Sequence, residues 1–299
     1  VIRVPSFVVD SYGKVHIVYC DKVGDLLDVF YITVKDGVCS EPVNLTGYPS
    51  LKESVVVAMD SAGIVYTAFL DNRMGRWQVF LLNVNDSHLI QITDTDTHKE
   101  DVSITTEGNK VIITWTALEE GIPRVFLAVI DSGNILVKKC ISHNYPSTKS
   151  SAAADEERIH VFYLEKHVYD HIMYAQFNFS GESVAVHDLG ECIHLDPVML
   201  GIFKGPQFVG NDRIACVWSD ARTGSQNLYY TELKKTGEIT REPEKLTQYS
   251  AGVWSWMPSV ADQNGIIHIV YVNNGFGTRL FHAKIKDDYE ELGTVTSRT

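Results

Sequence analysis

Two stretches carry side chains whose types and spacing could do chemistry. Between Ala215 and Tyr230 an aromatic, an acid, a base and a glycine stand at alternate positions: Trp218, Asp220, Arg222 and Gly224. The same order stands at Phe69, Asp71, Arg73 and Gly75. A carboxylate and a guanidinium so placed can face outward together as a polar ring that orients a ligand. They also have a local use, the Asp accepting from loop amides while the Arg pairs with a neighbouring repeat. Recurrence favours the structural job, because a site needs asymmetry and a repeat supplies symmetry. Trp254 and Trp256 lie two apart, on one face if extended. Exposed, they offer a stacking surface to a sugar or a protein; buried, they pack one repeat on the next. His167, Asp170 and His171 have ligand atoms that suit a metal, but nothing else in the sequence converges on them. No metal or cofactor is expected. The 38 Asp and Glu residues cannot be sorted into catalytic pairs, since glycoside chemistry is set by the separation of two carboxyl groups in space.

The elements that must position these residues are short strands. Ala215–Trp218 is wholly apolar, the pattern of a strand buried on both faces. Ser219–Gln226 reads as a hairpin loop, and Asn227–Tyr230 opens the next strand. An aromatic closes the second strand of each repeat at Tyr19, Phe69, Trp115, Tyr163, Trp218 and Tyr271, about every fifty residues. A second marker follows on the third strand at Phe30, Phe80, Phe126, Met173, Tyr229 and Phe281. Asp10–Gly13, Asp60–Gly63 and Asp262–Gly265 read as tight turns, with Asp bonding its own backbone and Gly supplying positive φ. Most repeats close on an aliphatic followed by a hydroxyl: Leu45-Thr46, Ile92-Thr93, Ile141-Ser142, Leu246-Thr247 and Val295-Thr296. In the first repeat the strands are expected at Ser6–Val9, Val15–Tyr19, Asp28–Val34 and Val43–Thr46. Four strands in each of six repeats predict an all-β, six-bladed β-propeller of four-stranded antiparallel blades. The blades fall roughly at 1–48, 49–95, 96–144, 145–191, 192–249 and 250–299, in one domain. The last repeat has its own fourth strand, around Thr294–Thr296.

Bulk properties narrow the function. A hydrophobic fraction of 44% with 21% charged residues suits a globular chain with a sizeable core. A net charge of −12 argues against nucleic acid or an anionic membrane as partner, because phosphate binding needs basic patches. No apolar run is long enough to span a bilayer. The chain begins at Val1, so a removed leader and a longer parent chain both stay open. Five cysteines without CxxC spacing give no support to zinc or thioredoxin chemistry. Cys20 and Cys216 sit in apolar runs and are expected to be buried thiols. The triplets at Asn44, Asn85 and Asn178 match the glycosylation pattern, a common chance match.

The string from Pro5 to Tyr19, repeated from Pro258 to Tyr271, resembles the repeat of sialidase-like (BNR-type) propellers. Trp218–Tyr229 is similar to a unit of bacterial and archaeal surface propellers of that superfamily. Ile2-Arg3-Val4-Pro5 is similar to the R-I-P motif of sialidases, with Val for Ile. That likeness implies that Arg3 belongs to a carboxylate-gripping arginine triad; otherwise Arg3 is a surface charge near a terminus. The strict Asp-box is absent, and the other two arginines, the Tyr–Glu pair and the acid Asp have no register here. The fold itself hosts enzymes, lectins and scaffolds.

The reading favours a non-catalytic binding or scaffold propeller, outside the cell or on its surface, that presents one channel face to a glycan or protein. Its candidate ligand-binding residues are Arg3, Asp71, Arg73, Asp220, Arg222, Trp254 and Trp256. One alternative is a glycoside hydrolase of the sialidase-like clan; another is a structural subunit of a surface or virion assembly. The repeat is broken at Glu191–Pro206, an apolar stretch that suits a lid, a partner interface or core filling, and at Tyr249–Met257.

Overall fold

The computed structural model describes residues 5–193, 206–250, 252–253, 255–275, 279–286 and 288–295. They form an all-β molecule of six antiparallel sheets, the blades of a six-bladed β-propeller. Blade one comprises β1 (Ser6–Val9), β2 (Val15–Val23), β3 (Leu26–Lys35), β4 (Val38–Cys39) and β5 (Val43–Asn44). Both β4 and β5 pair with β3, so they are two pieces of one interrupted outer strand. Blade two is β6 (Lys52–Met59), β7 (Val65–Asp71), β8 (Gln78–Asn83) and β9 (Leu89–Gln91). Blade three is β10 (Lys99–Glu107), β11 (Lys110–Glu119), β12 (Ile122–Asp131) and β13 (Asn134–Cys140). Blade four is β14 (Ser147–Ala154), β15 (Ile159–Lys166), β16 (Asp170–Phe177) and β17 (Ser183–Cys192). Blade five is β18 (Gln207–Val209), β19 (Arg213–Asp220), β20 (Asn227–Lys234) and β21 (Ile239–Lys245). Blade six is β22 (Ser255–Gln263), β23 (Ile266–Asn273), β24 (Arg279–Ile285) and β25 (Tyr289–Thr294).

The chain divides into two compact units. The first holds blades one to three with β14; its first strands run side by side, β1 against β6, β6 against β10 and β10 against β14. Its core fills the spaces between blades, as where Leu70 and Val79 of blade two meet Ile113 and Trp115 of blade three. The second unit holds β16, β17, all but the first residue of β15, and blades five and six. There Val217 and Tyr230 of blade five pack on Ile269, Tyr271 and Phe281 of blade six. Middle strands lie between two such layers, which is why β19 is a nearly unbroken apolar run.

The two aromatic markers are direct cross-strand partners. Tyr19 faces Phe30, Phe69 faces Phe80, Trp115 faces Phe126, Trp218 faces Tyr229 and Tyr271 faces Phe281. Their rings stack at 5.8, 6.1, 5.7, 6.0 and 5.6 Å. The closing aliphatic–hydroxyl pair is a latch. Amides of Leu45, Ile92, Ile141 and Leu246 donate to carbonyls of Val29, Val79, Val125 and Leu228, each at 2.8 Å. The hydroxyls of Thr46, Thr93, Ser142 and Thr247 then accept from the amides of those same four residues at 2.9–3.0 Å. In these four blades the third strand is thus tied near its start by the end of the fourth. The predicted Asp turns also form: Asp60 Oδ1 accepts from Ala62 and Ile64 at 3.0 and 2.8 Å, with Gly63 at φ +80°.

Two expectations differ in extent. Strand β2 runs on to Val23 and β3 starts at Leu26, so blade one has a tight hairpin at Gly24 and no long loop. Val23 pairs with Leu26, and β-branched and apolar residues at that tip extend the ladder. In blade six the last strand is Tyr289–Thr294, starting well before the expected 294–296, of which Thr296 lies outside the described residues.

Candidate functional site

Hairpins between second and third strands share one end of the blade with the inter-blade segments. The Asn72 amide donates to Leu51 O at 3.1 Å, and Asn72 Oδ1 accepts from the Leu51 amide at 2.8 Å. This orientation was open from sequence.

At that end the Asp-x-Arg pairs are built inside their own hairpins. Asp71 is fully buried; its Oδ1 accepts from Ser50 Oγ and the Arg73 amide, both at 2.7 Å. Its Oδ2 accepts from Arg73 Nε at 3.0 Å and Nη2 at 2.6 Å. The guanidinium lies over the rings of Phe80 and Tyr48, 4.4 and 4.7 Å from their centroids. Asp220 repeats the design, with Arg222 Nε at 2.7 Å, the Arg222 amide at 2.8 Å and the Ile193 amide at 3.1 Å. Arg222 sits 4.7 Å over Tyr229. Burial pulls the Arg222 pKa down, and the Asp220 carboxylate outweighs it and raises it. The sequence expectation that each Asp serves loop amides is met; each Arg bonds its own Asp and stacks on its own third strand, and Arg73 also covers Tyr48 at the end of the preceding repeat. Gly75 and Gly224 close these loops at φ +77° and +82°. Trp218 stacks on Tyr229, and its Nε1 is the buried side-chain nitrogen without a partner among the described residues. Arg3 and Trp254 lie outside the described residues, as do residues 194–205 of the broken repeat and the side chain of Trp256.

The first unit gathers a different set of ionisable groups on its adjoining first strands. Strand β6 opens Lys52-Glu53-Ser54-Val55, and β10 opens Lys99-Glu100-Asp101-Val102. The third residue of each takes positive φ, +52° at Ser54 and +56° at Asp101, and the register slips there. Lys149, third in β14, also takes positive φ, +57°. Such bulges bend a strand and re-aim its side chains. The lysines turn inward and are fully buried. Lys52 Nζ donates to Asp28 Oδ1 at 2.8 Å, to Ser50 O at 3.0 Å and to Tyr48 O. Lys99 Nζ donates to Thr97 O at 2.6 Å and to Thr95 O.

Glu53, Glu100 and Asp101 stay half-buried with Lys149, and His98 is exposed beside them. Burial holds the Glu53 carboxyl above the usual range; the Glu100 charge adds to this and His98 opposes it. Glu100 is raised by burial and by Asp101, against Lys149 and His98. Asp101 Oδ1 is paired with Lys149 Nζ at 2.5 Å, and its Oδ2 lies 3.5 Å from Thr116 Oγ1. This cluster offers carboxyls that hold protons at unusually high pH beside one that is ion-paired, the arrangement that marks binding and acid–base sites. Sequence reasoning missed it. The available signal was the Lys-Glu-x-Val string standing twice, one repeat apart.

In the second unit the His167 and His171 rings do come together, 4.4 Å between centroids. Each has its own carboxylate: His167 Nε2 is 3.6 Å from Glu165, and His171 Nδ1 is 2.8 Å from Asp188. Burial raises the Asp170 pKa against Lys166 and His171. Tyr249 and Tyr271 both donate to Glu291 Oε2, at 2.7 and 2.5 Å. Burial pushes the Tyr289 phenol up to about 12 and raises Tyr249 and Tyr271 as well. These phenols therefore act as hydrogen-bond donors. All five cysteines are free thiols, with Cys20, Cys192 and Cys216 buried.

No family model matches this chain, and no curated protein does. Solved structures do match. An ulvan lyase of a polysaccharide lyase family, bound to a GlcA–Rha3S unit, is 10% identical with a TM-score of 0.63, over 96% of this chain and 82% of that one. A Hadza microbial sialidase is 10% identical with a TM-score of 0.55, over 89% of this chain. TolB from Acinetobacter baumannii is 15% identical with a TM-score of 0.47, over 77% of this chain. The chain spans 62% of the sialidase and 54% of TolB. These are likenesses of fold.

Proposed function

We propose that this chain binds a carbohydrate at the first-strand surface of its first unit, through Glu53, His98, Glu100, Asp101 and Lys149. The observation that carries the reading is the pair of half-buried glutamates whose pKa values burial raises. Carboxyl groups, an imidazole and an ammonium together supply the mixed donors and acceptors that a polyhydroxylated ligand needs. The bulges at Ser54 and Asp101 fix those groups on strands instead of loops. Fold likeness to an ulvan lyase and a sialidase agrees with a glycan partner, and such a partner puts the work outside the cell or on its surface.

A second reading is cleavage of the same ligand. It is favoured by the raised Glu53 and Glu100, because a protonated carboxyl beside an ionised one is what acid–base attack on a glycosidic linkage requires. One experiment separates them: a glycan array beside a panel of fluorogenic glycosides and uronate-containing polysaccharides, with the unmodified chain and Glu100→Gln. Binding lost in Glu100→Gln without turnover supports recognition alone. Turnover abolished by the same change supports cleavage. Binding that Glu53→Gln and Glu100→Gln leave intact would sink the assignment to this cluster.

A further inference from the structure

At the opposite end of the same blades, where first meets second strand and third meets fourth, blades two and three enclose a cleft of about 340 Å³. Its floor is apolar, formed by Ile64, Leu81, Ile90, Val111 and Ile130. Its rim carries Asp60, Tyr66, Asp86, His88 and Asn109. The volume is at the small end of ligand pockets, and an apolar floor with a few convergent polar groups is their usual composition.

The charge of the rim is one-sided. No lysine or arginine is among the lining residues. Asp60 is buried; its Oδ1 is taken by turn amides, and among the described residues its Oδ2 has only the Tyr66 hydroxyl at 3.4 Å. Asp86 lines the cleft, and its Oδ1 accepts from the His88 amide at 2.9 Å. The Tyr66 phenol is raised by burial, then by Asp60 and by Asp86, so both carboxylates act on one point of the cleft.

We propose that this cleft binds a small organic ammonium ion, a primary amine on an apolar body. The ammonium has three donors and no acceptor, so it matches two carboxylates that have no Lys or Arg ion pair among the described residues. The apolar body covers the aliphatic floor, and an anion of the same shape meets like charge.

Calorimetric titration of the intact chain with 2-phenylethylamine, 2-phenylethanol and phenylacetate tests this. The amine should bind about tenfold or more tightly than the alcohol, the margin expected of a charge-assisted contact, and the carboxylate not measurably. Asp86→Asn keeps an oxygen for the His88 amide and should bring the amine down to the alcohol's affinity. Glu100→Gln, at the other end, should leave amine binding unchanged, so failure of the carbohydrate reading and failure of this one are distinct. Equal affinity for all three probes, no binding of the amine, or full binding in Asp86→Asn would overturn the proposal.

Discussion

Asp71 shows how a residue that looks like a site becomes a hub of local structure. Four donor contacts of Ser50 and Arg73 and two aromatic faces are organised by one buried carboxylate. Asp71→Ala leaves a guanidinium and a hydroxyl unpaired in a dry place, and should cost about 3 kcal/mol in a urea unfolding titration. Lys52 and Lys99 make a matched comparison, since Asp28 beside Lys52 is replaced by Gln78 in the next blade; both Asp28 and Gln78 accept from the hydroxyl of their closing Thr, Thr46 and Thr93. Lys99 therefore holds a buried charge on carbonyls without a carboxylate contact, and burial lowers its pKa to about 8 from 10.5. Between those values the unfolded chain binds more protons, so stability rises with pH across the window, and the cost is complete below pH 8. Wild type should gain on the order of 3 kcal/mol relative to Lys99→Met from pH 8 to 10.5. Parallel pH-dependent stability curves for the two proteins check this.

At the scale of the element, the latch gives the repeated aliphatic–hydroxyl pair a physical meaning. Thr93 Oγ1 accepts from the Val79 amide at 2.9 Å and donates to Gln78 Oε1 at 2.7 Å, all of it buried. Thr93→Val keeps the shape and strands both partners, so it should cost about 1–3 kcal/mol, whereas Thr93→Ser should restore most of it. Chemical denaturation of the three proteins reads the difference. The glycosylation-like triplets find their explanation here as well. Asn44 binds Asp28 beside the first latch, Asn85 accepts from the Val65 amide, and Asn178 holds a turn through the amides of Ser180 and Glu182.

For the whole molecule, packing between blades decides which groups solvent can reach. Cys39 is exposed and Cys140 half-buried, with burial pushing the Cys140 thiol up to about 11; Cys20, Cys192 and Cys216 are buried. A disulfide reagent at neutral pH should label Cys39 fast and Cys140 slowly, and the other three only on unfolding. Fast labelling of Cys216 in the native protein would contradict this packing. The same burial sets a trade-off at the candidate site. Folding raises the Glu100 pKa, so the folded state holds a proton that the unfolded chain releases, and stability falls as pH rises from about 4.5 through the folded value. Glu100→Gln should thus raise the melting midpoint at neutral pH while removing ligand binding, a pairing that thermal melts and the glycan array together detect.

How much of this was written in the chain depends on the range of the interaction. Tyr19, Phe69, Trp115, Trp218 and Tyr271 recur because each blade needs a large ring opposite its third-strand partner, and such needs repeat with the repeat. The fold, the strand count, the Asp turns and the hairpin of Trp218–Tyr229 follow from spacing alone. Even the role of Asp71 and Asp220 as acceptors of the Arg73 and Arg222 amides is local, within two residues of each. The cluster of Glu53, His98, Glu100, Asp101 and Lys149 is not. Its members belong to three blades, and single positive-φ residues at Ser54, Asp101 and Lys149 aim them. The cleft at Asp60 and Asp86 likewise needs two blades side by side. The sequence by itself determined the repeated unit, because backbone pairing and turn chemistry are short-range. Only the tertiary structure decided which carboxyls share a desolvated space, because Coulomb coupling and burial depend on distance through space and not along the chain.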